Sequence, residues 1–175
     1  MKSNNIIIKS LFLFIFLFSY ANAEQKIAFL DIQKILSKSV SGIFLNTSIK
    51  KIQDEKLIEF KNKKENLQND EKKLIAKKNI LEESKFEEQI NDLKKKIINF
   101  NNERKNFSQD LNKKKLNGTN QIIKTLDPIL KDYASKNSIS LILQKKNILL
   151  GENSIDITQD ILNLLDKKIK KINLK

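Results

Sequence analysis

"KKNILEESKFEEQI", residues 77–90, decides whether this chain carries one very long helix or two shorter ones folded against each other. It lies within residues 46–117, a Lys/Asn/Glu-rich stretch without proline or glycine. Running into it, Phe60, Leu67, Leu74 and Leu81 recur every seven residues. Leu57, Ile52 and Ile49 add the partner positions of a heptad seam. Running out of it, Phe86, Ile90, Leu93, Ile97, Phe100, Phe107 and Leu111 alternate by four and three, interrupted once at Arg104. Both halves therefore read as helix.

One helix continued in register past Leu81 would place Lys85, Glu88, Asp92, Lys95, Asn99, Asn102, Asn106, Gln109 and Lys113 on its seam. All are polar, so an unbroken seam is excluded. The five-residue step from Leu81 to Phe86 also differs from the three- or four-residue insertions that long coiled coils absorb. In an antiparallel hairpin, facing residues share a constant index sum. Leu81 with Phe86, Leu74 with Leu93, Leu67 with Phe100 and Phe60 with Phe107 each sum to 167. Ser84 and Glu87 form an S-x-x-E capping box, in which Ser and Glu side chains satisfy free amides at a helix start. The expectation is a helical hairpin over 46–117, its tip near 82–85, each arm ~55 Å long at about 1.5 Å per residue.

This arm is thin. The positions complementary to its first seam, Lys64, Glu71 and Lys78, are charged, so helix propensity and short-range charge pairs must supply much of its stability. Ile58, Ile75, Ile80 and Ile98 fall off the seam. They are the candidate contact residues for an exposed binding surface; the competing reading is that they pad the seam's edge.

The flanks differ in composition. "KIAFLD" (26–31) reads as a strand and "IQKILSKS" as one or two helical turns. After Gly118, "TNQIIKTLDPILKDYASKN" is helical again, with Pro128 expected to kink it or start a new helix. "SISLIL" alternates as a strand over about 139–143, "QKKN" reads as a turn, and "ILL" (148–150) as a further short strand. Ile161, Leu164, Leu165, Ile169 and Ile172 lie at helical spacing behind a Thr158 cap, giving a last helix over about 158–172. The fold class is therefore α+β. Residues 24–45 and 118–175 make a small β-sheet body, from which the long antiparallel helical hairpin, or coiled-coil arm, projects. A body with three short strands and open edges has reason to associate with copies of itself.

Residues 1–23 have the form of a cleaved export signal: Lys2 and Lys9 supply charge, "LFLFIFLF" (11–18) the apolar core and "ANA" (21–23) the cleavage site. The apolar run is short of the ~20 residues of a spanning helix. The formal charge of +13 falls to +11 without Lys2 and Lys9. There is no Cys and no His, so disulfides, thiol or imidazole catalysis and zinc sites lack their residues. No spacing suggests a carboxylate or Lys enzyme, and neither catalytic, metal nor cofactor-binding residues are assigned. The positive balance suits acidic partners. Arg, the residue best matched to bidentate phosphate contacts, occurs once, at Arg104, and counts against a nucleic-acid reader.

Taken together, "KIAFLDIQKILSKS", the charged arm, "LDPILKDYASKNSISLILQKKNILL" and "SIDITQDILNLL" resemble the periplasmic Skp/OmpH chaperones over the whole mature chain. That resemblance implies a homotrimer with a small β-barrel body and three helical hairpins around a cavity. It further implies ATP-independent binding of unfolded outer-membrane β-barrel proteins. Transient contact with an anionic membrane surface is a further expectation from the positive charge. The family's cavity is basic, and nineteen basic against thirteen acidic residues over 46–117 are compatible with that. The proposed lipopolysaccharide site of some members uses clustered basic residues including Arg, and is not carried over to a chain with one Arg. The alternatives are a basic coiled-coil structural or adaptor protein, and a binder of nucleic acid or anionic envelope lipid.

Overall fold

A computed structural model describes residues 26–174. The export signal assigned to 1–23 lies outside them. The chain runs β1 (Lys26–Leu30), α1 (Ile32–Lys38), α2 (Val40–Ala76), α3 (Glu83–Lys136), β2 (Ile139–Gln144) and α4 (Thr158–Lys168), with single 3-10 turns at Lys145–Asn147 and Asn153–Ile155.

β1 and β2 pair in parallel, with Ile27 opposite Leu141, Ala28 opposite Ile142 and Leu30 opposite Gln144. A parallel pair needs a crossover connection; here α1, α2 and α3 together provide it. The expected strand at 148–150 does not form. The chain leaves the ladder in the 3-10 turn after Gln144, and Leu149 and Leu150 lie 104% and 93% exposed. Three apolar residues carry too little pattern to separate a strand from a surface loop. The other edge of β1 instead meets Asp156, where the Ile157 amide donates to the Phe29 carbonyl at 3.0 Å.

Short polar contacts fix how the helices leave this sheet. Asp31 caps α1 by accepting from the Lys34 amide at 2.9 Å, while its own amide donates to Thr158 Oγ1 at 2.9 Å. Buried Ser39 ends α1 and caps α2, accepting from the Gly42 amide at 3.1 Å. The α1–α2 corner is so tight that a Cβ on Gly42 would stand 2.2 Å from the Leu36 carbonyl oxygen, so only glycine fits. Asp166 of α4 accepts from the Val40 amide at 2.8 Å, satisfying one of the free donors at the start of α2. Asp156, rather than Thr158, serves the start of α4: its carboxylate accepts from both the amide and the hydroxyl of Thr158.

Leu30, Ile35, Leu45, Ile122, Leu126, Ile161 and Leu165 converge from β1 and all four helices into one core. Full burial of such a side chain contributes about 2 kcal/mol. The helices do not stop at the body's edge. α3 passes through Gly118 and Pro128 without a break, against the expectation of a kink or new helix at Pro128. The carbonyl that Pro128 leaves without its helical donor belongs to exposed Lys124, so water can satisfy it. α4 ends at Lys168, short of the expected 172; residues 169–174 run on as a non-helical tail whose Ile172 is buried against the core.

The hairpin reverses over 77–82 rather than 82–85. α2 ends at Ala76, Ile80 and Leu81 bond back to the Lys77 carbonyl at 3.0 Å, and Glu82 occupies the N-cap of α3 without a side-chain cap bond. Ser84 therefore lies inside the first turn of α3, and the Ser84–Glu87 capping box is not built.

Candidate functional site

The arm pairs α2 with the outer part of α3. Phe60 and Leu74 are buried on the seam, Leu67, Leu81, Phe86, Leu93, Phe100 and Phe107 are half-buried, and the Phe60 ring meets those of Phe100 and Phe107 edge to face at 5.8 and 5.6 Å. Such edge contacts add about 1 kcal/mol each beyond burial.

The second seam column is ionic, and it is not the expected one. Lys64 and Glu71 are exposed, as is Lys78 in the turn; the column facing α3 is Lys56, Lys63 and Asp70. Glu103 accepts from Lys56 at 2.9 Å and from Lys63 at 2.8 Å, and Glu59 closes the cluster with contacts to the same two ammonium groups at 2.7 and 2.9 Å. Toward the tip, Lys96 reaches Asp70 at 3.3 Å. Lys56 also lies 5.1 Å from the Phe60 ring centre, where the ring face attracts a cation. The Lys56 ammonium, followed by that of Lys63, holds the Glu103 and Glu59 carboxyls below their ordinary range, and the two carboxylates hold both lysines above theirs.

Outside the seam the arm shows apolar residues to solvent. Ile58 is 64% exposed, Ile75 63%, Ile80 81% and Ile98 58%. They stand at four different heights along the hairpin. Leu57, assigned to the seam, is itself more than half exposed, and Ile97 is partly so, which makes the doublets Leu57–Ile58 and Ile97–Ile98. These doublets could have been read from adjacency alone. A shallow groove of about 390 Å³ lies on the body between β1, α1 and α3, with Leu30, Leu36, Leu126 and Leu130 inside and Asp31, Asp127, Lys145 and Lys146 at its rim. The open sheet face adds Ile27, Leu141 and Leu143.

Tyr133 donates to Asp160 at 2.6 Å, and that bond raises its hydroxyl to about 12, fixing it as a donor that ties α3 to α4. Among the described residues no group of three His, Cys, Asp or Glu side chains is placed to hold a metal, and no helix is long and apolar enough to cross a membrane.

Fold and surface thus define a class: a small α+β body from which one long helical hairpin extends, with exposed apolar residues along the hairpin. The family model described as Outer membrane protein (OmpH-like) matches residues 26–165, and the chain belongs to that family. Among solved structures, a candidate outer membrane chaperone (OmpH-like) from Caulobacter crescentus CB15 is similar in fold, with a TM-score of 0.79 at 18% identity over 85% of this chain and 88% of that one. No curated protein matches the chain.

Proposed function

We propose that this protein is an ATP-independent holdase chaperone of the periplasm, exported by a signal peptide, residues 1–23, that is then cleaved. Its clients are unfolded outer-membrane β-barrel proteins, held against the arms and kept from aggregating. The observation that carries this reading is the arm's surface: Ile58, Ile75, Ile80 and Ile98 are exposed at separate heights among an excess of lysines. Scattered apolar contacts suit an extended chain with many weakly sticky segments, whereas a folded partner would need one contiguous patch. Family membership supports the same role, as does the likeness to a candidate outer membrane chaperone.

The working unit in this proposal is a homotrimer formed by the bodies. Its support is the apolar surface left open there: Ile27, Leu141 and Leu143 on the sheet, with Leu149 and Leu150 beside it. The test is to dilute a denatured outer-membrane β-barrel protein into buffer with and without this chain and follow light scattering. Suppression at one trimer per client is expected. Unchanged scattering would remove the proposal's support, and sedimentation equilibrium measures the subunit count separately.

A further inference from the structure

Beyond the helices, residues 169–174 cross the root of the arm and are held there by backbone and side chain alike. The Gln121 side-chain amide clasps Asn173 at both ends, donating to its carbonyl at 2.6 Å and accepting from its amide at 3.0 Å. One turn pair nearer the tip, Lys114 donates to the Leu174 carbonyl at 3.1 Å. Ile172 is buried between them. A Cβ built on Gly118 would stand 2.6 Å from Leu45 Cδ1 and 2.7 Å from Ile172 Cδ1, so α2, α3 and the tail meet at one close-packed point. All three contacts lie where the paired helices of the arm enter the body.

We infer that residues 169–174 are a strap that sets the angle of the arm to the body by pinning α3 against α2 at Gly118. Without the strap, α3 keeps its helix and the core packing of Ile122 and Leu126, but loses the apolar and hydrogen-bonded contacts that brace it on the tip side of them. The arm is then free to swing about that point. The strap can release and re-dock because it is short and is held by two side chains, Gln121 and Lys114, by buried Ile172 and by the partly buried Ile169 and Leu174. The inference does not depend on the chaperone reading, since the arm angle is measurable without a client.

The chain contains no cysteine, which makes paired labelling direct. Spin labels at Asn79→Cys in the tip turn and Lys34→Cys on α1, with labelled chains diluted by an excess of unlabelled ones, report the tip-to-body distance. The distribution should be narrow in the intact chain and at least about twofold broader in a variant ending at Lys168. Gln121→Ala removes the clasp and leaves Ile172 in place; it should broaden the distribution to a lesser degree with circular dichroism unchanged. Should the truncated chain fail to fold, Gln121→Ala decides. A distribution as narrow as that of the intact chain in the variants that fold would overturn the strap.

Discussion

The Lys63 ammonium and the Glu103 carboxylate meet at 2.8 Å across the arm, in the column where a coiled coil places its second apolar layer. Lys56 joins the same carboxylate from the preceding heptad. The hairpin is thus zipped by phenylalanine and leucine along one column and by charge along the other, which gives its stability a dependence on pH and salt.

The direction of that dependence follows from the shifts. Glu59 and Glu103 are held below their ordinary values, so their contribution is present above the unfolded carboxylate range, near pH 4, and fades as pH falls through their folded values. Lys56 and Lys63 are held above theirs, so their contribution is full below about pH 10 and fades above it. Amide protection over 52–66 and 97–110, taken relative to the intrinsic exchange rate at each pH, should be greatest between these limits, lower at pH 3, and lower at high salt because the cluster is only partly shielded from water. Glu103→Gln should flatten the acid limb. An identical pH profile in that variant would show that the cluster does not hold the arm.

Phe60 is the one aromatic on α2 that touches two rings of α3. Phe60→Ala should cost about 3 kcal/mol of arm closure, within the range for buried aromatics cut to alanine. A disulfide between Leu74→Cys and Leu93→Cys offers the readout. Its formation rate should drop in the Phe60→Ala background while urea unfolding of the body keeps its midpoint.

Converting Ile58, Ile75, Ile80 and Ile98 together to serine should leave the fold in place, because each is more than half exposed and such surface changes usually shift stability by less than about 0.5 kcal/mol each. Suppression of client aggregation should fall severalfold. Full activity in a variant with unchanged circular dichroism would mean that the client is held elsewhere.

Ser138, between α3 and β2, has φ 55°, a left-handed conformation that a side chain makes costly. Ser138→Gly relieves a left-handed cost of about 1–2 kcal/mol, offset in part by the greater chain entropy glycine loses on folding, so a net gain of up to about 1 kcal/mol should appear as a higher urea midpoint at constant slope.

The hairpin was legible because two independent periodicities ended in phase on either side of residues 77–90, and because the straight alternative demanded an all-polar seam. The four candidate isoleucines were legible as exposed for the same reason: once the seam was drawn, they were off it. Three features were hidden. Which charged column faces α3 could not be decided from α2 alone, since residues three and four places along from Phe60 are both lysine; the choice rests with Glu103 on the other helix. The site of the reversal is set by backbone bonds to the Lys77 carbonyl, which need no particular side chain. Ile169 and Ile172 continue the spacing of α4 although the helix has stopped, because a buried position in a strap can share the period of the helix before it.

The unbroken course of α3 makes it a beam. From Gly118 it extends 35 residues to Glu83 near the tip and 18 residues to Lys136, where β2 follows almost at once. Its short side is clamped by Ile122 and Leu126 in the core and by Tyr133 on Asp160, so the long side is a cantilever. A load taken up at the tip therefore reaches the body as torque at the root beside Gly118.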